Sequence, residues 1–268
     1  MSRIGQTMAR LRQQGRLGLI AYLTVGYPDI EATLRLVPAL AAGGADMVEL
    51  GVPFSDPLAD GTTIQRASHC ALQQGVTPAL CLDVVKQLRA RGLAIPLLLM
   101  GYYNPILAYG IDEFARDAAG AGADGLIEVD VPPEEAAGVR TACAGRGLDL
   151  IYLLAPTSSD ERIALVAAQA SGFIYCVSLA GVTGARGELP SGLPQFLARV
   201  RRHTSLPLAV GFGISKREHL EAVAGLGAEA AVIGSAIIDV IDHAPAGERE
   251  ERVREYVEVV TGRREATV

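Results

Sequence analysis

The stretch from Asp46 to Gln65, which reads DMVELGVPFSDPLADGTTIQ, concentrates the carboxylates that could do chemistry. Glu49 interrupts a short apolar run, and such runs between glycine-bearing joints are typical of strands that are buried on both faces of a parallel sheet. Burial disfavours the charged form of a carboxyl group and raises its pKa toward neutrality, which suits a group that both donates and accepts a proton. The alternative is that Glu49 is a structural residue paired with an arginine elsewhere in the chain.

Two further acids, Asp60 and Asp56, follow this run in a loop rich in proline and glycine. The Asp56-Pro57 pair is typical of a turn, so a turn or contact role competes with a catalytic role for Asp56. The two lysines, Lys86 and Lys216, fall in predicted helices, which argues against a Schiff base on a strand lysine. The four histidines lie in predicted helices or at their ends, where we expect solvent-facing side chains, so metal-dependent or Ser-His-Asp chemistry lacks its parts. Acid–base catalysis by carboxylates remains.

Eight apolar runs, each followed by one or two helix-like segments, must position these acids. Such alternation predicts a parallel sheet, and eight units close most economically into a (β/α)8 barrel. An open doubly wound sheet is the alternative, although the GxGxxG dinucleotide fingerprint is missing after the first run. We expect a single (β/α)8 TIM barrel domain over residues 1–268, with an N-terminal helix over residues 1–16 that packs on the barrel. The predicted strands are Leu17–Thr24, Met47–Leu50, Ile95–Met100, Gly125–Val129, Leu148–Leu154, Phe173–Ser178, Leu208–Gly211 and Ala230–Ile233.

Glycine-bearing loops follow the last three predicted strands. They read GVTG from Gly181 to Gly184, GFGIS from Gly211 to Ser215, and Gly234-Ser235. Glycine lets backbone N–H groups approach an anion closely, and a helix that begins near Ser235 directs the positive end of its dipole to the same rim. Because barrels commonly hold phosphate at the loops after strands 7 and 8, these loops predict a phosphate site.

The composition argues against several classes of function. The net charge of −6 provides no basic field for nucleic acid. No apolar run approaches about 18 residues, so we expect no membrane span. The arginine-bearing start of the chain lacks the apolar centre of a secretory signal, and the four cysteines show no CxxC spacing. We therefore expect a cytoplasmic protein with reduced cysteines.

The stretch ELGVPFSDPLADG from Glu49 to Gly61, with GVTG, GFGIS and the IGSA that begins at Ile233, closely resembles the tryptophan synthase alpha chain family. The resemblance covers essentially the whole chain and implies retro-aldol cleavage of indole-3-glycerol phosphate to indole and glyceraldehyde 3-phosphate. It implies that Glu49 protonates C3 of the indole ring and helps to deprotonate the glycerol hydroxyl, and that Asp60 accepts the indole N–H and stabilises the developing positive charge. It also implies no cofactor in this chain, because the protonated indolenine ring is itself the electron sink.

The resemblance further implies a set of substrate contacts. Tyr22 stands where we associate a phenylalanine with the family, so its hydroxyl needs a partner if it is buried. Thr183 lies in a loop that closes over the substrate in the family and can then bond Asp60. The implied phosphate contacts are Gly184, Gly213, Ile214, Gly234 and Ser235, and the implied indole contacts are Tyr22, Met100, Ile127, Val129, Leu153, Tyr175, Phe212 and Val232.

The family also implies a partner, a beta chain that carries pyridoxal phosphate and uses the indole to make L-tryptophan, in an alpha2beta2 heterotetramer. The implied contact surface comprises the loop Pro53 to Asp60, Tyr102, Asn104 and the region around Asp130 and Pro132. Three alternatives stay open: a stand-alone lyase that releases indole, a neighbouring phosphate-binding barrel such as an isomerase or indole-3-glycerol phosphate synthase, and a weakly catalytic subunit that activates a beta chain. The synthase would require a strand lysine, which is missing.

Overall fold

The computed structural model describes residues 1–177, 189–211 and 213–265. The strands in these ranges are β1 (Gly18–Thr24), β2 (Met47–Gly51), β3 (Leu97–Gly101), β4 (Gly125–Glu128), β5 (Asp149–Leu154), β6 (Ile174–Val177), β7 (Leu208–Gly211) and β8 (Ala230–Ile233). Each strand pairs in parallel with the next, and β8 pairs with β1, so the sheet closes into a barrel. The predicted (β/α)8 barrel is confirmed, and the open doubly wound sheet is wrong.

The helices in the described ranges surround this barrel, with one at its base and two in several of the connections. They are α1 (Arg3–Gln13), α2 (Ile30–Gly43), α3 (Thr62–Gln73), α4 (Pro78–Ala90), α5 (Tyr103–Tyr109), α6 (Ile111–Ala121), α7 (Ala137–Ala144), α8 (Asp160–Gln169), α9 (Leu193–Arg201), α10 (Arg217–Gly225), α11 (Ser235–His243) and α12 (Arg249–Val260). None of these helices is long and apolar enough to cross a membrane.

The N-terminal helix α1 closes the bottom of the barrel. Its buried residues include Ile4 and Leu11, and a Cβ atom added to Gly125 or Gly18 would approach these two side chains within 3.1 and 2.5 Å. The helix is shorter than the predicted span of residues 1–16, because Gly15 adopts a left-handed conformation with φ of 60° and the chain turns there into β1. The same contacts show that Gly18 and Gly125 face the barrel interior.

Acidic residues at three strand starts fasten the base of the barrel. Asp46 accepts a hydrogen bond from the Leu19 amide at 3.0 Å and a bidentate pair of bonds from Arg16. Asp124 and Glu229 stand in matching positions before β4 and β8. Asp124 accepts hydrogen bonds from the Leu97 amide and from Arg89. Glu229 accepts them from the Leu208 amide and from Arg201. Each acid thereby accepts a hydrogen bond from an amide at the first or second residue of the preceding strand, which links consecutive units of the barrel.

Several predicted element boundaries differ from the observed ones. Strand β4 ends at Glu128, although the amide of Val129 still donates to the carbonyl of Gly101 at 3.1 Å. The apolar pattern predicts a helix over Pro133–Ala144, but α7 begins at Ala137 because the preceding segment forms turns, with the Glu135 amide bonded to the Pro132 carbonyl at 2.9 Å. The last residue of the sixth predicted strand, Ser178, lies outside the described residues.

Candidate active site

Glu49 lies in the middle of β2 on the face that points into the barrel. The register pairs it with Tyr22 of β1 and Leu98 of β3, and Leu98 pairs with the inward-facing Gly125. Its side chain is fully buried, and neither carboxyl oxygen has a hydrogen-bond partner among the described residues. Burial raises the pKa of Glu49 from 4.5 to about 8. The alternative of a structural pair with an arginine is therefore wrong for the part of the chain that the structure describes.

Asp60 lies in the loop that follows β2 and is held there by Tyr102, the residue before α5. The Tyr102 hydroxyl donates to Asp60 Oδ2 at 3.1 Å and accepts a bond from the Ala59 amide at 3.0 Å. Phe54 packs on Tyr102 with a ring-centroid separation of 5.2 Å. Burial raises the pKa of Asp60 to about 6, against the opposing effect of the Tyr102 hydrogen bond.

Asp56, the third acid of this stretch, is exposed and takes part in the turn. Its carboxylate accepts from the Ser55 hydroxyl at 2.5 Å, and its carbonyl accepts from the Leu58 amide at 2.9 Å. Asp56 is thus more exposed than the buried Glu49 and the partly buried Asp60, which supports its turn role.

Two tyrosines lie close enough to both Glu49 and Asp60 to be affected by their charges. Burial is the main cause that raises the pKa values of both Tyr22 and Tyr175, and both carboxylates raise them further. The Tyr22 hydroxyl finds the partner that its burial requires in Thr24 Oγ1 at 3.2 Å. Both phenols therefore stay protonated and neutral in this surrounding.

Two glycines make room for these rings, and the sequence reasoning missed both. A Cβ atom on Gly51 would stand 2.2 Å from the Tyr22 hydroxyl oxygen, and one on Gly211 would stand 2.3 Å from that of Tyr175. Gly51 is two residues beyond Glu49 and therefore on the same inward face. That spacing, with a glycine at the last position of a strand, is the signal that could have found them.

The residues expected to contact indole fall on the inward face or at its rim where the structure describes them. Met100 pairs with Gly51 and with Ile127, and Leu153 pairs with Tyr175, so these side chains continue the inward set of Glu49. Val232 of β8 pairs with Ile20, two residues before Tyr22, and Val129 follows β4 directly. Phe212 lies outside the described residues. The described members of this set thus place mostly apolar side chains on the inward face that carries Glu49, or at its rim.

The predicted phosphate loops meet this site at β7 and β8. Gly213 has a φ of 75°, which glycine adopts without strain, and Ile214 next to it is buried. Gly234 precedes α11, and a Cβ atom added to it would stand 3.3 Å from the Tyr22 side chain. No side chain in the described ranges caps the N-terminus of this helix. The amide end of α11 at Ser235 therefore remains available for an anion. Thr183 and Gly184 lie outside the described residues.

One histidine contradicts the expectation of solvent-facing histidines. His219 in α10 is buried, and its Nδ1 accepts a hydrogen bond from the Ser215 amide at 3.3 Å. This hydrogen bond holds the last residue of the GFGIS loop against α10. No group of three His, Cys, Asp or Glu side chains in the described ranges is placed to hold a metal ion.

A closed (β/α)8 barrel with a buried carboxyl group inside it, a second acid of raised pKa in the loop after β2, and an uncapped helix N-terminus after β8 has the features of a barrel enzyme. The family model described as tryptophan synthase alpha chain matches residues 8–267. The chain belongs to the tryptophan synthase alpha chain family, as the sequence resemblance implied.

Individual relatives agree with this assignment. A tryptophan synthase alpha chain from Roseiflexus sp. (strain RS-1) is 58% identical over 262 residues, which is 98% of this chain and 100% of that protein. The crystal structure of tryptophan synthase subunit alpha from Legionella pneumophila str. Paris superposes with a TM-score of 0.89 at 38% identity, covering 98% of each chain. A chain of the aminoacrylate-bound tryptophan synthase from M. tuberculosis gives 0.87 at 34% identity, covering 97% of this chain and 98% of that one. The chain is accordingly a lyase of tryptophan biosynthesis, and the isomerase and indole-3-glycerol phosphate synthase alternatives are wrong.

Proposed function

We propose that this chain cleaves indole-3-glycerol phosphate with Glu49 as the acid–base group and Asp60 as the anchor of the indole N–H. The observation that carries the proposal is the position of Glu49: fully buried, facing the barrel interior, and without a hydrogen-bond partner among the described residues. A buried carboxyl group without a partner costs folding free energy, and such groups concentrate at functional sites.

Glu49 is mostly protonated near pH 7 because its pKa is about 8. It donates this proton to C3 of the indole ring, and the resulting indolenine cation accepts the electron pair of the breaking C–C bond. The Glu49 carboxylate then takes the proton of the glycerol hydroxyl, whose carbon becomes the aldehyde carbon of glyceraldehyde 3-phosphate. Glu49 ends the cycle protonated, and the step requires no cofactor in this chain.

Asp60 is mostly ionised near pH 7 because its pKa is about 6. As a carboxylate it accepts the indole N–H and stabilises the positive charge that C3 protonation places on the ring. Tyr102 fixes the orientation of this carboxylate through its hydroxyl. The two acids thus have opposite protonation states at the same pH, which is the separation that paired acid and anion roles need.

The phosphate and indole contacts complete the proposal. Backbone N–H groups and the Ser235 hydroxyl at the loops after β7 and β8 hold the phosphate, and Gly184 joins them from the sequence after β6. Thr183 is proposed as a substrate-site residue that bonds Asp60 when the substrate is bound. The proposed phosphate-binding set is Gly184, Gly213, Ile214, Gly234 and Ser235, and the proposed indole wall is Tyr22, Met100, Ile127, Val129, Leu153, Tyr175, Phe212 and Val232. We expect Ser235→Ala to raise KM about tenfold with little change in kcat, since one hydrogen bond to a charged group contributes about 1.5 kcal/mol. An unchanged KM would contradict this phosphate site.

A beta chain with pyridoxal phosphate is the proposed partner, in an alpha2beta2 assembly. Leu58, in the loop that carries Asp60, has 91% of its surface exposed, and Leu107 of α5 has 52% exposed. Exposed leucines of this kind beside a catalytic loop fit a protein contact. Docking there would order the Asp60 loop and so regulate catalysis. The whole chain is proposed to act as one domain, because α12 after the last strand packs back on Gly43 of α2. The proposed location is the cytoplasm.

The assignment of the two acids is tested by single variants that keep side-chain shape. Glu49→Gln should abolish indole release while leaving substrate binding intact, and Asp60→Asn should lower kcat by a factor of about 100 or more. Binding of the substrate by each variant, measured by calorimetry, serves as the control for folding. Full turnover by Glu49→Gln would move the proton donor to another residue.

A further inference from the structure

A second buried glutamate, Glu128, lies at the end of β4 but outside the proposed site. Successive strand residues face opposite sides, so Glu128 points toward the surrounding helices while its neighbour Ile127 belongs to the inward set. The register places it beside Gly101 and Tyr152. Only 2% of its surface is exposed, and neither carboxyl oxygen has a hydrogen-bond partner in the described part of the chain.

The titratable groups around Glu128 provide no compensating charge. Asp130, two residues further on, acts on its carboxyl group as a like charge, and burial together with Asp130 raises the pKa of Glu128 to about 8. Burial is the main cause that raises the pKa values of Cys143 in α7 and Tyr152 in β5, and the charge of Glu128 raises both pKa values further. Two arginines oppose these shifts: Arg146 lowers the pKa of Cys143, and Arg140 lowers the pKa of Tyr152.

Asp130 connects this group to the proposed active site. Its Oδ1 accepts a hydrogen bond from the Tyr103 amide at 2.8 Å, at the first residue of α5. A carboxylate at a helix N-terminus satisfies an amide that has no partner in the helix and interacts favourably with the helix dipole. The residue before α5 is Tyr102, whose hydroxyl holds Asp60. Glu128 is thus linked to Asp60 through the Asp130 carboxylate and the start of α5.

We propose that Glu128 is a positioning residue for Asp60, and that its charge state controls how firmly Asp130 caps α5. With Glu128 neutral, the Asp130 carboxylate holds the helix start, and Tyr102 keeps its bond to Asp60. With Glu128 ionised, its buried charge repels the carboxylate of the exposed Asp130, the bond from the Tyr103 amide weakens, and Tyr102 shifts relative to Asp60. The catalytic consequence rests on the role proposed for Asp60.

The structural part is tested by amide chemical shifts in the ¹⁵N-labelled full chain between about pH 6 and about pH 10. The Tyr103 amide should titrate with a midpoint of about 8, which is the pKa of Glu128. This titration should vanish in Glu128→Gln, which imitates the neutral acid, and should persist in Glu49→Gln. Asp130→Asn should also abolish it, because asparagine keeps the cap and removes the charge. A Tyr103 titration that is absent in the unmodified chain, or unchanged in Glu128→Gln, would overturn the proposal.

The catalytic part is tested by the alkaline limb of indole release. One pH unit above the midpoint, Glu128→Gln should be up to about tenfold more active than the unmodified chain, because it loses only the Glu49 proton there. Superimposable alkaline limbs would refute the link to Asp60. If the unmodified chain released no indole at any pH, the proposed function would fail, whereas the amide titrations would still decide the link between Glu128 and α5.

Discussion

Replacing Glu49 by glutamine should make the protein more stable while it removes the chemistry. The pKa of Glu49 is raised in the folded state from an ordinary value of 4.5 to about 8. Stability from the neutral form is therefore fully present below about pH 4.5 and is lost as the pH rises through about 8. Each pH unit between the two pKa values costs about 1.4 kcal/mol. Between about pH 6 and about pH 8, the unmodified chain should lose about 2 kcal/mol of unfolding free energy relative to Glu49→Gln.

The assay is urea unfolding followed by tyrosine fluorescence, which is usable because the chain has eight tyrosines and no tryptophan. Glu128→Gln is the matched control, since Glu128 is also buried without a hydrogen-bond partner in the described residues and has a pKa of about 8. It should show a similar gain in stability but retain most indole release near pH 7, where Glu128 is mostly neutral already. Parallel stability profiles for the unmodified chain and Glu49→Gln would refute the buried, neutral state of Glu49.

Further substitutions test the surroundings of the two acids, with one control on an outer helix. Tyr102→Phe removes the hydrogen bond that lowers the pKa of Asp60, so the acid limb of the kcat/KM profile should move to higher pH, with about a tenfold loss near pH 6. Gly51→Ala should destabilise the fold by about 1 to 3 kcal/mol in urea unfolding, because its Cβ would meet the Tyr22 hydroxyl at 2.2 Å. Gly120→Ala, an exposed helix position with open space, should instead stabilise it slightly. Tyr22→Phe should relieve the Gly51→Ala variant, and a double variant no more stable than Gly51→Ala alone would contradict this contact.

The fold followed from local patterns, because each β/α unit repeats the same apolar strand and turn chemistry. The acid before the strand illustrates this: Asp46 is local in sequence, yet it fastens the amide of Leu19 in the preceding strand. Boundaries failed where competing turns were strong, as at the proline-rich segment before α7. There the hydrogen bond of Glu135 to Pro132 closes a turn that periodicity does not reveal.

The site was predictable only as far as residue type constrained it. Glu49 could be found because a carboxylate inside an apolar run is costly, and the same signal was present at Glu128, which the sequence reasoning passed over. The partner of Asp60 could not be derived from spacing, because Tyr102 lies 42 residues away and meets it only through the pairing of β2 with β3. The clearance that Gly211 gives Tyr175 likewise depends on the register of two strands.

The central claim is tested most directly by indole release from indole-3-glycerol phosphate, measured for the purified chain and for Glu49→Gln, each with and without a beta chain from the same organism. We expect slow release by the unmodified chain alone, strong acceleration by the partner, and no release by Glu49→Gln in either condition. Acceleration without any effect of the substitution would contradict the role of Glu49, and rapid release that no beta chain changes would identify a stand-alone lyase instead of a regulated subunit.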